Sequence, residues 1–102
     1  MSKDTVFSGV QPTGEIHLGN YLGAIKQFLN FQDESDSIFC IVDQHAITVF
    51  QDPSQLKDNI LSVLSIFLAS GLDPKKCIIF NQSSVQEHSV LSWYLSCTAR
   101  IG

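Results

Sequence analysis

The chain has 102 residues, 44% hydrophobic and 16% charged, with a formal net charge of −4. That composition fits one small domain, or part of a larger one, with enough apolar side chain for a packed core; it excludes a disordered or fibrous chain. The six lysines and arginines are scattered, and only Lys75 and Lys76 adjoin. No basic stripe exists to hold nucleic acid by charge, so any RNA partner must take most of its contacts from other sequence.

Cys40, Cys77 and Cys97 are odd in number, widely spaced and each set in an apolar run. They read as buried free thiols of a reducing compartment, and without a C-x-x-C pair they do not read as a zinc site. The N-terminal MSKDTVF lacks an apolar leader core. No run reaches the ~20 apolar residues of a membrane span. The expectation is a soluble, cytoplasmic chain with no membrane partner.

In chain order, Thr5 to Val10 predicts a short strand, followed by a turn-rich loop over Gln11 to Gly14. Leu18, Leu22, Ile25, Phe28 and Leu29 recur at helical spacing, and QDESDS is expected to close that helix as an acidic loop. SIFCIV is a continuous apolar run too short for a helix, as in a strand covered on both faces. In QDPSQ, Asp52 takes the N-cap, Pro53 the first helical position and Gln55 the reciprocal capping position. Leu56, Ile60, Val63, Leu64, Phe67 and Leu68 then mark one buried face, with Gly71 as the stop. CIIF predicts a third buried strand. Ser84 and Glu87 suggest a second capping box, opening a helix with Val90, Leu91, Tyr94, Leu95 and Thr98 inward.

This β-α-β-α-β-α order with short connections predicts an α/β fold, the N-terminal half of a doubly wound, Rossmann-like parallel sheet. Such a half leaves an edge open, and the last residues, Arg100-Ile101-Gly102, fall where a helix closes. Residues 1–102 are therefore expected to be the N-terminal part of a longer nucleotide-binding domain. Polar clusters follow each strand: Gln11-Pro12-Thr13 with His17, then Asp43-Gln44-His45, then Asn81-Gln82. Ligands of doubly wound sheets bind at that edge. Asn81 and Ser84 are also explained by turn and cap chemistry. Asp43 is expected to fix the turn after the second strand, and His88 to face solvent.

SGVQPTGEIHLGNYLGA, residues 8–24, carries five glycines or prolines across a helix start. Gly14 and Gly19 have P-loop spacing, but Asn20 and Tyr21 stand where the phosphate-binding lysine and the metal-binding hydroxyl belong. No G-x-G-x-x-G occurs. What remains is His17-Leu18-Gly19-Asn20 opening a helix. Gly19 lets a flat base or ribose lie on the backbone, and His17 and Asn20 face one ligand from the first turn. The helix N-terminus favours phosphate.

These four residues resemble the H-x-G-H signature of class I aminoacyl-tRNA synthetases and related nucleotidyl transferases. FSGVQPTGEIHLGNYLGA together with IVDQHAITVFQDP and FNQS resembles the bacterial-type tryptophanyl-tRNA synthetases across the chain. In that family Asn is the usual last residue of the signature. The resemblance implies ATP-dependent activation of L-tryptophan to Trp-AMP and transfer to tRNA(Trp), with Mg2+ on the ATP phosphates and no protein metal site. It implies that Gln11, Pro12 and Thr13 line the ATP phosphates and that Gly19 and Asn20 hold the adenosine side. His17 and Asn20 would be catalytic, His17 donating to phosphate or ribose oxygens. Phe7, Val42 and His45 would line the tryptophan pocket. It further implies a homodimer, edged by Trp93 and Cys97, and tRNA contacts mainly beyond residue 102. The family's lysine-rich ATP clamp and its acidic reader of the indole N–H are absent from these residues, so these 102 residues alone are expected to be inactive. Two other readings share His17: a small nucleotidyl transferase making a different adenylate, and a nucleotide-binding module without catalysis. The transferase reading gives no reason for DQHAIT.

Overall fold

Alternating side chains over TVFSGV form β1 (Thr5–Val10), which pairs in parallel with β2 (Asp36–Ile41), and β2 pairs in parallel with β3 (Ile78–Asn81). The computed structural model describes residues 3–13 and 18–100, with side chains in the second stretch from residue 22 onward. The helices are α1 (Leu18–Glu34), the single turn α2 (Asp43–Ala46), α3 (Pro53–Ala69) and α4 (Gln86–Thr98). A 3-10 turn over Gln82–Ser84 precedes α4.

Strand order is β1-β2-β3. Two right-handed crossovers stepping the same way place α1 and α3 on one face of the sheet. The core shows this directly. Phe28 of α1 stacks on Phe39 of β2 with ring centroids 4.4 Å apart and meets the edge of Phe67 of α3 at 5.9 Å. Ile25, Ile41, Val63 and Leu72 complete that layer, with Val10 and Ile79 from the flanking strands packed against it. These strand residues share one parity, so residues of the other parity face away from both helices.

Asp52 caps α3 as expected, its carboxylate accepting from the Ser54 N–H at 2.9 Å and the Gln55 N–H at 3.4 Å. Gly71 stops the chain beyond α3 with φ +108°, a left-handed conformation that disfavours any side chain. Buried Gln32 braces this turn from α1. Its amide donates to the Gly71 carbonyl at 3.1 Å and its oxygen accepts the Asp73 N–H at 3.0 Å.

Several sequence expectations change. The acidic stretch is no loop: α1 runs through Glu34, and the Asp36 N–H already bonds the Asp4 carbonyl at 2.9 Å. Leu22 and Leu68 are exposed, because the sheet-facing sector of each helix is narrower than its apolar stripe. β3 is not buried on both faces, since Ile78 projects from the side without helices and stays exposed. The Ser84–Glu87 capping box does not form; Ser84 belongs to the 3-10 turn, and α4 begins after Val85 with no side-chain cap. Val90, Leu91, Tyr94, Leu95 and Thr98 are exposed rather than inward, and Cys97 is an exposed rather than a buried thiol, because α4 packs mainly on the 3-10 turn and meets the sheet through the His88 ring against Phe80. Among the described residues no helix is long and apolar enough to cross a membrane.

Phe67 is fully buried and Leu68 is not. Truncating Phe67 to alanine is expected to destabilise the protein by about 3–5 kcal/mol, against about 0.5 kcal/mol or less for Leu68→Ala. Denaturant midpoints at constant m-value measure the difference.

Candidate functional site

Parallel pairing brings the carboxyl ends of all three strands to one edge, so the segments after Val10, Ile41 and Asn81 meet there. After β1, Pro12 is wholly buried, Thr13 half-buried and Gln11 exposed; the Pro12 ring anchors the loop between them. Gly14 to His17 lie outside the described residues, so His17 has no geometry here. Gly19 and Asn20 occupy the first turn of α1, the expected helix start, with their side-chain positions undescribed.

The sheet face without helices is the second component. Register places Phe7 beside Ile38, Gly9 beside Cys40 and Cys40 beside Phe80. Phe7 is 57% exposed there, its ring 6.4 Å from that of Phe80. Val42 continues the same parity one residue beyond β2, its N–H bonding the Val10 carbonyl at 2.9 Å. A Cβ built on Gly9 would stand 2.9 Å from the Val42 Cγ1. Gly9 therefore admits the close approach of Val42, and the exposed strip from Phe7 past Gly9 to Val42 has apolar side chains at both ends and bare backbone at its middle. Cys40 floors this strip: burial, then the nearby Asp43 charge, pushes its thiol up to about 11, so it stays neutral.

His45 sits on α2, exposed, three residues past Val42. Its N–H donates to the Gln82 Oε1 at 3.2 Å, and the amide of Gln44 donates to the Ser89 hydroxyl of α4 at 2.6 Å. Between α2 and α4 lies an open cleft of about 510 Å³, lined by His45, Gln82, His88, Ser89 and Trp93. His88 is not a solvated surface residue, as expected from sequence, but half-buried, its ring 5.7 Å from that of Phe80.

Asp43 fixes the turn after β2, as expected, and reaches further. Its buried carboxylate accepts from the Gln44 N–H at 3.0 Å, the Ser83 N–H at 2.9 Å and the Asn81 amide at 2.9 Å. Burial alone would raise its pKa. Hydrogen bonds from the side chains of Ser83 and Asn81 and the backbone of Ser83 and Gln44 outweigh that and hold it below the ordinary carboxylate value. Sequence reasoning placed Gln44 and Gln82 in the polar clusters of this edge but missed Ser83, whose N–H joins the Asp43 carboxylate. The available signal was its position just after an apolar strand.

The family model described as tRNA synthetases class I (W and Y) matches residues 2–102. The tryptophan–tRNA ligase of Brucella melitensis is 55% identical over 100 residues, 98% of this chain and 28% of the relative. That of Mesorhizobium japonicum is 56% identical over the same shares. A crystal structure of tryptophanyl-tRNA synthetase from Campylobacter jejuni complexed with ADP and tryptophan superposes with a TM-score of 0.86 at 42% identity, over 94% of this chain and 30% of that one. The chain thus spans less than a third of the length of these relatives.

Two titrations follow from the geometry. Asp43 is depressed in the folded state, so its contribution is present above its unfolded value of about 3.9 and is lost as pH falls through the lower folded value. Urea midpoints should drop less steeply below about pH 4 in Asp43→Asn than in the parent. Cys40 and Cys77, both buried with raised pKa values, should resist iodoacetamide at pH ~8 until denaturant is added, as read by mass spectrometry.

Proposed function

Because the chain belongs to the class I tRNA synthetases of the tryptophan and tyrosine type, we propose that it is the N-terminal part of a tryptophan–tRNA ligase. The reaction is activation of L-tryptophan by ATP, followed by transfer to tRNA(Trp). The observation that carries this reading is the bare backbone of Gly9 between Phe7 and Val42, beside the Gln11–Thr13 loop. An indole needs a flat apolar slot, and a reacting carboxylate must reach a neighbouring phosphate.

In the first step a tryptophan carboxylate oxygen attacks the α-phosphorus of ATP. The bond to the bridging oxygen of the β-phosphate breaks, and pyrophosphate leaves. The protein's part is positioning and charge stabilisation. Gln11 and Thr13 border the phosphates on the loop that Pro12 anchors, while Gly19 and Asn20 take the adenosine side at the start of α1. His17 donates to a phosphate or ribose oxygen as charge builds. Phe7, Val42 and His45 surround the amino-acid side. Mg2+ bound with ATP would neutralise phosphate charge that otherwise repels the attacking carboxylate. Remaining substrate contacts, tRNA binding and dimerisation belong to sequence corresponding to the rest of the relatives' length.

The choice of tryptophan over tyrosine is supported by relatives at 53–56% identity named as tryptophan–tRNA ligases. The test is amino-acid-dependent ATP–pyrophosphate exchange by the full-length protein. Tryptophan should support exchange and tyrosine should not; exchange driven by another acceptor overturns the reading. In the same assay His17→Ala should lower kcat by about 10²–10³-fold with little change in KM for tryptophan. A loss confined to the tryptophan KM would move His17 off the phosphate.

A further inference from the structure

We propose that Asp43 is a positioning residue for the amino-acid side of this site, acting through α2 on Val42 and His45; this rests on the ligase reading above.

The single turn α2 cannot hold itself in place. A helix of four residues has no stability of its own, and its N-cap, Val42, offers no side-chain cap. What fixes it is Asp43, the first helical residue. Its Oδ1 takes the Gln44 and Ser83 N–H groups, and its Oδ2 takes the Asn81 amide. One carboxylate thereby ties the end of β2 to the end of β3 and to the 3-10 turn. The Ser83 contact also holds neighbouring Gln82, whose side chain accepts the His45 N–H. His45 is thus tied to the end of β3 by two links, the α2 backbone and the Gln82 side chain, and both depend on the same anion; the Thr48 hydroxyl on the His45 carbonyl and the Gln44–Ser89 bond act beside them.

Asn81 reports how strongly the carboxylate dictates the arrangement. Its amide nitrogen serves both Asp43 Oδ2 and the Ser83 hydroxyl, at 2.9 and 2.8 Å. Its own Oδ1 is buried and has no hydrogen-bond partner among the described residues. Leaving a buried acceptor unpaired is costly, and reversing the amide would relieve it only by setting oxygen against the carboxylate. The local structure accepts an orphaned oxygen to keep Asp43 served. None of these bonds involves the Phe28–Phe39–Phe67 core, so their loss releases α2 without opening the fold.

The test compares Asp43→Asn, Asn81→Asp and the double swap in the full-length protein. In tryptophan-dependent exchange, Asp43→Asn should lower kcat/KM for tryptophan by about 10²-fold, the loss expected from a displacement of about 1 Å. That loss should fall on the tryptophan KM, with the ATP KM nearly unchanged. Asn81→Asp sets two carboxylates together and should behave alike. The swap again pairs one amide with one carboxylate and should restore most of the activity. Equal changes in both KM values, or no rescue by the swap, would overturn the inference. If the parent shows no tryptophan-dependent exchange, the ligase reading fails separately. The backbone amide resonance of His45 in 15N-histidine-labelled protein then decides: displaced in Asp43→Asn and restored by the swap upholds positioning, and unmoved overturns it.

Discussion

Phe28 stacks on Phe39 and receives the edge of Phe67, and that three-ring contact commits one face of the sheet to α1 and α3. A β-strand sends successive side chains to opposite faces, so this commitment leaves no freedom for the residues between. With Phe39 and Ile41 inward, Cys40 and Val42 must lie on the other face, and register adds Phe7, Gly9 and Phe80 to them. A slip of one residue in β2 would bury Val42 and expose Phe39, losing core and candidate pocket together.

The open face and the strand ends divide the work. The face supplies shape: apolar walls from Phe7 and Val42, and bare backbone at Gly9. The ends supply polarity, since parallel strands deliver Gln11–Thr13, Asp43–His45 and Asn81–Ser83 to one edge. The covered face tolerates one buried polar side chain from α1, Gln32, only because both ends of its amide are satisfied. Of the exposed apolar residues of α4, Trp93 lines the cleft beside His45, while Val90, Leu91 and Leu95 belong to neither part.

What the sequence made legible was what local chemistry decides. Asp52-Pro53 set the start of α3 because a carboxylate and a fixed φ act within one turn, and Gly71 ended it because a left-handed turn excludes side chains. Strand limits were legible to within one residue: β1 as expected, β2 and β3 each shifted by one. Features that depend on distant partners were not. The pattern of α4 showed a stripe but not whether anything covers it, and the stripe is exposed. Ser84 had capping chemistry, yet the 3-10 turn took it while Asp43, forty residues earlier, claimed the adjacent Ser83 N–H. α2 was invisible because four residues carry no periodicity. The site was legible as an edge of polar clusters; the net that joins Asp43, Asn81, Ser83 and Gln82 crosses about forty residues of chain and leaves no local mark.

The central claim is that the bare strip at Gly9 receives an indole. A crystal structure of the full-length protein grown with L-tryptophan tests it most directly. The account predicts the ring lying against the Gly9 backbone between Phe7 and Val42, with the carboxylate directed toward the Gln11–Thr13 loop. Tryptophan bound elsewhere, with this strip filled by other side chains of the protein, would contradict it.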